Sequence, residues 1–272
     1  MDRLSACLGP QITDPDEEAF VVFAQDLPSH NLGFVDAKAT DVELTVGGRD
    51  LVIHQSPGLL TSSRKEGTTG AVVWQVTPRV AQWLSVESNF LFASGLLDST
   101  SHVLELGCGV AGVVALVLAP QVASYIATDQ EYVLKHLRQN IADNAGRGKG
   151  KRANITVRPL DWETSSVAAL YTDLGLVDEG IGAIVCCDCI YNESLIAPLV
   201  DTCVDICHLA PAEKPTVCIF AQQLRSFDVF EAWLAAFHAA FETWRVPDSL
   251  LTADLKEGSG FVVHIGMLRS QT

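Results

Sequence analysis

Val103-Leu104-Glu105-Leu106-Gly107-Cys108-Gly109-Val110-Ala111-Gly112 is the stretch that decides the fold. A short apolar run carrying one acid meets two glycines, then a helix-like apolar pattern through Val113, Val114, Leu116 and Val117. That order reads as a strand, a tight turn and a helix N-terminus, the opening of a nucleotide-binding α/β unit. Gly107 and Gly109 carry no Cβ, so their backbone can approach a ligand closely. Alone, the glycines say only that a nucleotide-like ligand sits there.

Downstream, strand-like and helix-like segments alternate. Residues 125–129 read as a second strand ending at Asp129, and 131–144 as a helix with Leu134, Leu137 and Ile141 on one face. Residues 155–157 form a third strand that closes on Leu160-Asp161-Trp162. Residues 181–188 are nearly continuous apolar, the mark of a strand buried on both faces, and they too stop at an acid, Asp188. A helix over 195–209, a strand over 216–221, a helix over 227–240 and two last strands, 241–246 and 261–268, follow. The pattern predicts an α/β protein with a doubly wound, mostly parallel sheet and an antiparallel end.

Upstream, residues 1–40 carry scattered acids (Asp14, Asp16, Glu17, Glu18) and one short apolar run, and are expected to form a partly ordered leader. Val42, Leu44 and Val46 alternate with polar residues, Gly47-Gly48 suits a primed turn, and residues 51–54 return as a second strand. A polar loop over 61–70 then leads into Ala71-Val72-Val73-Trp74-Gln75 and a helix through Leu84, with Pro78 in its first turn. Residues 1–70 are therefore read as an N-terminal extension whose β-hairpin packs on the main domain, residues 71–272.

The chain has 272 residues, 48% hydrophobic and 19% charged, ample for a globular core. It shows no apolar run of membrane-spanning length and no signal peptide in residues 1–10. Eight cysteines in that context are expected reduced and buried, in the cytoplasm or alternatively the nucleus. The net charge of −15 argues against gripping nucleic acid by its phosphates and suits a cationic cofactor or a basic protein partner.

Asp129, Asp161 and Asp188 fall at carboxyl ends of successive strands, the edge where an open parallel sheet binds ligands. Asp129 is placed to accept from two vicinal ribose hydroxyls; the alternative is a cap on the next helix. A nicotinamide enzyme also has an acid there, but its pyrophosphate would not welcome Glu105 and Asp188 beside the turn. Such negative charge fits the ammonium and sulfonium of S-adenosyl-L-methionine, and Trp74 and Trp162 add flat faces for adenine or a cation. Methyl transfer is favoured over hydride transfer.

Taken together, Glu105-Leu106-Gly107-Cys108-Gly109, Asp129, Asp161-Trp162 and Asp188-Cys189-Ile190-Tyr191 resemble the protein-lysine methyltransferases of the methyltransferase-like 21 group. These are class I methyltransferases with a Rossmann-like seven-stranded sheet, and acid-x-x-Tyr is the group's marker. The stretches 32–36, 53–57 and 67–74 look closer still to the fungal ribosomal lysine N-methyltransferase 5 type. The resemblance spans roughly residues 31–268; Cys187 stands where many relatives have alanine, an exchange between small apolar residues.

That resemblance implies a protein-lysine N-methyltransferase using S-adenosyl-L-methionine, acting on a basic large-subunit ribosomal protein of the L1 type; separately, the chain is expected to be a monomer. It implies that Trp74, Gly107, Cys108, Gly109, Asp129, Trp162 and Cys187 line the cofactor site, that Glu105 helps with the methionine ammonium, and that Asp161 reaches the adenine edge. Asp188 and Tyr191 are the implied catalytic pair, aiming the amine; otherwise Asp188 caps the next helix and Tyr191 packs in the core. Two other functions stay open: a small-molecule methyltransferase, which would want a sealing lid, and a non-catalytic cofactor-binding interaction protein. Cys186 and Cys189 have Cys-x-x-Cys spacing, yet Cys186 sits in an apolar strand with no turn to shape a metal knuckle, so no metal is expected. The basic run Arg147, Lys149, Lys151 and Arg152 is read as a solvated loop rather than an RNA contact, and Arg64 and Lys65 lie in another polar loop.

Overall fold

A computed structural model describes residues 2–28, 33–62, 68–145 and 154–270. The two basic loops, with Arg64, Lys65, Arg147, Lys149, Lys151 and Arg152, lie outside them. The strands are β1 (Asp41–Val46), β2 (Arg49–His54), β3 (His102–Leu106), β4 (Ser124–Asp129), β5 (Ile155–Pro159), β6 (Ala183–Cys187), β7 (Val217–Gln223), β8 (Phe241–Arg245) and β9 (Phe261–Leu268). The helices are α1 (Asp2–Leu8), α2 (Pro15–Phe23), α3 (Pro57–Leu60), α4 (Val76–Leu84), α5 (Phe90–Ala93), α6 (Val113–Leu118), α7 (Glu131–Ala145), α8 (Val167–Leu174), α9 (Ile196–His208) and α10 (Phe227–Ala240).

Strands β3 to β9 make one seven-stranded sheet in the order β5-β4-β3-β6-β7-β9-β8, and β1 and β2 pair separately as a hairpin. The five strands from β5 to β7 run parallel, while β9 is antiparallel to both β7 and β8. The sheet is the doubly wound, mostly parallel one that the alternation predicts. Its parallel strands feed both layers with a period of two. Val103, Ala183, Val185, Val217 and Ile219 join the core under α4, α6 and α7. Leu104, Ile184, Cys186, Cys218 and Phe220 join the core under α8, α9 and α10.

Two parts of the chain differ from expectation. The stretch expected to be a partly ordered leader holds two helices, α1 and α2, among its described residues. Asp14 caps α2 by accepting the Asp16 and Glu17 N–H groups at 3.0 Å each, and Pro15 opens it. Ala19 and Val22 of α2 are buried in the second core, and Glu18 reaches His264 at 3.1 Å and Arg245 at 3.4 Å. The crossover between β5 and β6 is the helix α8, which the apolar pattern does not single out. Its start and stop signals are local, Ser166 capping the start by accepting the Ala169 N–H and Gly175 ending it in the left-handed conformation.

The hairpin is docked by side-chain amides standing in for a third strand. Asn140 and Asn144, one turn apart on α7, are both fully buried. Asn140 accepts the His54 N–H at 2.8 Å and donates to His54 O at 2.9 Å; Asn144 does the same for Val52 at 3.0 and 2.9 Å. The edge of β2 is thereby satisfied without another strand. Asn140→Ala leaves the His54 groups and the Val110 carbonyl, to which Asn140 also donates, without that partner. Denaturant unfolding is expected to show a loss of about 2 kcal/mol, and a wild-type midpoint would mean that the amide ladder contributes nothing.

Candidate active site

The chain runs outward from β3 to β4 and β5, then returns to the other side of β3 as β6. Helix α6 after β3 and helix α9 after β6 pack on opposite faces of the sheet. The carboxyl ends of β3 and β6 therefore part, and a crevice opens between them. A cavity of about 540 Å³ occupies it. A larger one, about 820 Å³, lies at the amino end of β3 around His102 and contains none of the residues chosen from the sequence.

Gly107 and Gly109 form the cavity floor with φ of +67° and +60°. A Cβ on Gly107 would stand 2.9 Å from Cys189 Sγ and 3.1 Å from Trp162 Cζ2; one on Gly109 would stand 3.0 Å from Gly70 O. Neither position tolerates a side chain. Three successive N–H groups of the turn are spoken for. Cys108 donates to Thr128 O at 3.1 Å, Gly109 to Asp129 Oδ2 at 2.8 Å and Val110 to Gly70 O at 2.8 Å. A phosphate, which needs such donors free, gains little here.

Strand ends supply the walls. Asp129 also accepts the Gln130 N–H at 2.7 Å, so each carboxylate oxygen holds one backbone donor and keeps a lone pair for the cavity. Asp161 accepts the Glu163 N–H at 2.9 Å and the Gln130 side-chain amide at 3.3 Å, and Trp162 lies against Gly107. Trp74 is half-buried and donates through Nε1 to Thr69 O at 3.0 Å, its ring 4.5 Å from that of Phe34. Cys108 and Cys187 complete the inner surface; burial pushes both thiols well up, with Glu105 adding to the effect, and keeps them protonated.

Of the residues chosen from the sequence, Trp74, Gly107, Cys108, Gly109, Asp129, Asp161, Trp162, Cys187, Asp188 and Tyr191 all line this one cavity. Glu105 does not. It is 1% exposed, behind the turn, where it accepts the Tyr125 hydroxyl at 2.9 Å. The helix-cap alternative for Asp188 fails, because Asn192 caps the next helical turn by accepting the Ser194 N–H. Tyr191 is 42% exposed at the cavity mouth and is no core residue. Among the described residues no cluster of His, Cys, Asp and Glu is arranged to hold a metal.

Sequence reasoning missed Arg225. Its guanidinium grips the Asp188 carboxylate, Nη1 to Oδ2 at 3.0 Å and Nη2 against Oδ1, and lies over the Trp74 ring. The edge rule that selected Asp188 applies equally to it, since it follows the end of the neighbouring strand β7 by two residues. Electrostatically the cavity is one-sided. Asp129, Asp161, Glu163 and Asp188 line it, and among the described residues no Lys, Arg or His does. Burial pushes Glu105 up to about 7 against its Tyr125 bond, and Asp129 up to about 6 against its two N–H bonds. Burial also pushes Asp188 up, opposed by Arg225.

A doubly wound sheet with an acid-walled crevice at its switch point defines a Rossmann-like protein for a cationic nucleoside ligand. Residues 54–230 match the model of the lysine methyltransferase family, and the chain belongs to that family. Ribosomal lysine N-methyltransferase 5 of Zygosaccharomyces rouxii is 31% identical, over 68% of this chain and 69% of its own. That of Kluyveromyces lactis is 25% identical, over 90% and 92%. A Schizosaccharomyces pombe protein named diaminohydroxyphosphoribosylamino-pyrimidine deaminase is 30% identical over 85% of this chain, which spans about half, 53%, of that relative.

The raised carboxyls set a pH dependence. A bound cation favours the ionised forms of Asp129 and Glu105, so it binds more tightly as pH rises through about 6 to 7 and releases protons on binding within that window. Calorimetry with S-adenosyl-L-homocysteine, whose ammonium is the cation, is expected to show proton release at pH 6.5 and little at pH 8.5. Equal affinity at pH 5.5 and 8 would contradict this electrostatic account.

Proposed function

We propose that this protein is an S-adenosyl-L-methionine-dependent protein-lysine N-methyltransferase acting on a lysine of a ribosomal protein, a large-subunit protein of the L1 type. The observation that carries the reading is the acid-walled cavity, without a base among the described residues, with Tyr191 at its exposed mouth. The cofactor fits the donor set. Asp129 has spare acceptor capacity for vicinal hydroxyls, Trp162 offers a flat face, and three successive N–H groups of the glycine turn are already engaged and not offered to a pyrophosphate. When bound, the cofactor supplies a sulfonium methyl group, which an amine lone pair displaces with the carbon–sulfur pair leaving on sulfur.

The chain's own residues then have to deliver a neutral amine. Free lysine has a pKa of about 10.4, so about one amine in a thousand is neutral near pH 7.4. Transfer into the buried zone around Asp188 shifts that balance toward the neutral form. Asp188 accepts from the amine and Tyr191 fixes its direction at the mouth, which together hold the nucleophile in line. A small molecule would need the mouth closed over it; an exposed Tyr191 instead suits a side chain inserted from a protein surface. The acidic chain complements a basic ribosomal partner.

Labelled cofactor and an extract of cells lacking the enzyme test the reading: a single labelled ribosomal protein band is expected. Asp188→Asn and Tyr191→Phe should each reduce labelling at least ~10-fold while S-adenosyl-L-homocysteine binding persists. Unchanged labelling in both variants removes these residues from catalysis, and label only in small molecules rejects the protein substrate.

A further inference from the structure

Both oxygens of the Asp188 carboxylate are already engaged before any substrate arrives. Arg225 takes them as a two-point pair, and the Gln223 N–H stands 3.3 Å from Oδ1. The Asp188 side chain is 1% exposed and that of Arg225 21%, so the pair sits where water screens it poorly. Arg225 is itself steadied from two further sides. Its Nη1 donates to Gln223 Oε1 at 2.9 Å, and its Cζ lies 5.2 Å from the Trp74 ring centroid. Trp74 donates to Thr69 O. One run of contacts thus links Asp188, Arg225, Trp74 and Thr69 along the cavity wall.

The charge consequence follows directly. A lone buried carboxylate facing a lysine stabilises its ammonium form, which has no lone pair to donate. A carboxylate matched by a guanidinium presents dipoles and acceptor lone pairs but no net charge. The other titratable groups around Asp188 are the Cys187 and Cys189 thiols, Tyr191 and, from the far wall, Asp129, Asp161 and Glu163. None of them is a cation, so among the described residues Arg225 alone supplies the balancing charge.

Building on the lysine methyltransferase reading, we propose that Arg225 is a positioning residue that neutralises Asp188 in place, so that the substrate lysine binds as the neutral amine and Asp188 serves only as hydrogen-bond acceptor. The lysine's proton passes to water before the amine enters, and no base in the protein has to take it.

Arg225→Met leaves Asp188 buried and unmatched. With the ribosomal protein labelled by the wild-type enzyme as substrate, its rate at pH 7.5 is expected to fall at least ~10-fold, the deficit closing toward pH 10. Arg225→Lys keeps the charge and is expected to keep the wild-type pH profile. The double variant Asp188→Asn/Arg225→Met removes both charges; it should run faster than Arg225→Met and regain the wild-type profile. A readout without turnover accompanies these. Binding of the same protein in the presence of S-adenosyl-L-homocysteine should release about one proton in wild type at pH 7.5 and none in Arg225→Met.

A rate loss in Arg225→Met that is the same at every pH, or a double variant no better than the single one, overturns the proposal. Melting curves report the folding of each variant. Should Arg225→Met not fold, Arg225→Lys and the double variant still decide, because a shifted pH profile in either contradicts the assignment. Wild-type labelling in the same assay separates the two levels. With no labelled protein the methyltransferase reading fails; with label but an unmoved profile in folded Arg225→Met only the Arg225 assignment fails.

Discussion

The structure depends on one constraint, the reversal of strand order at the centre of the sheet. Because α6 and α9 depart to opposite faces, nothing in the main layers covers the ends of β3 and β6, and the backbone there must turn sharply. Gly107 and Gly109 turn in the left-handed region at one side of the gap. Asp188 does so at the other, with φ of +59°, alone among the described non-glycine residues. That conformation costs roughly 1–2 kcal/mol for a residue with a Cβ. The Asp188 N–H bond to Ala221 O and the Arg225 pair offset it. The same turn that strains the backbone puts the carboxylate on the cavity wall.

Charge gives the gap its chemistry. The carboxylates on its walls come from different strand ends, and among the described residues Arg225 on Asp188 is the one cation paired with them. Glu105 has a separate role. From behind the turn, joined to the Tyr125 hydroxyl and pushed up to about 7 by burial, it adds negative potential when ionised, without touching the cavity. An ammonium or sulfonium therefore enters among carboxyls whose positions are fixed before it arrives, the condition under which electrostatic stabilisation needs little reorganisation.

The N-terminal segments are held by amides and ions rather than by extension of the main sheet. Asn140 and Asn144 complete the edge of β2. Gln55 donates to Asp36 O and Ala39 O at 2.8 Å each and accepts the Val73 N–H at 2.6 Å. Through Gln55 and the Phe34–Trp74 bridge, the segment before the hairpin is tied to the strip that carries Thr69, Gly70 and Trp74 into the cavity. Irregular backbone can be buried there because each amide supplies a donor and an acceptor at once.

The order of strands and helices, the glycine turn and the acids at strand ends were legible in the sequence. Each rests on a local rule: a period of two or of three to four, a residue without Cβ, a carboxylate where an apolar run stops. Tertiary structure decided the rest. Val113 and Val117 look like any apolar helix in sequence, and only the packed layers show which face of the sheet they cover. Helices α1, α2 and α8 are too short for periodicity to mark, and they form because Leu4 and Leu8, Ala19 and Val22, and Leu170 and Tyr171 find cores laid down by distant strands. Glu105 and Asp129 are equal acids in sequence, and burial behind the turn or beside the cavity separates them. Arg225 lies 37 residues from Asp188 along the chain. Their pairing exists only because β6 and β7 are neighbours, and no local pattern encodes which strands lie side by side.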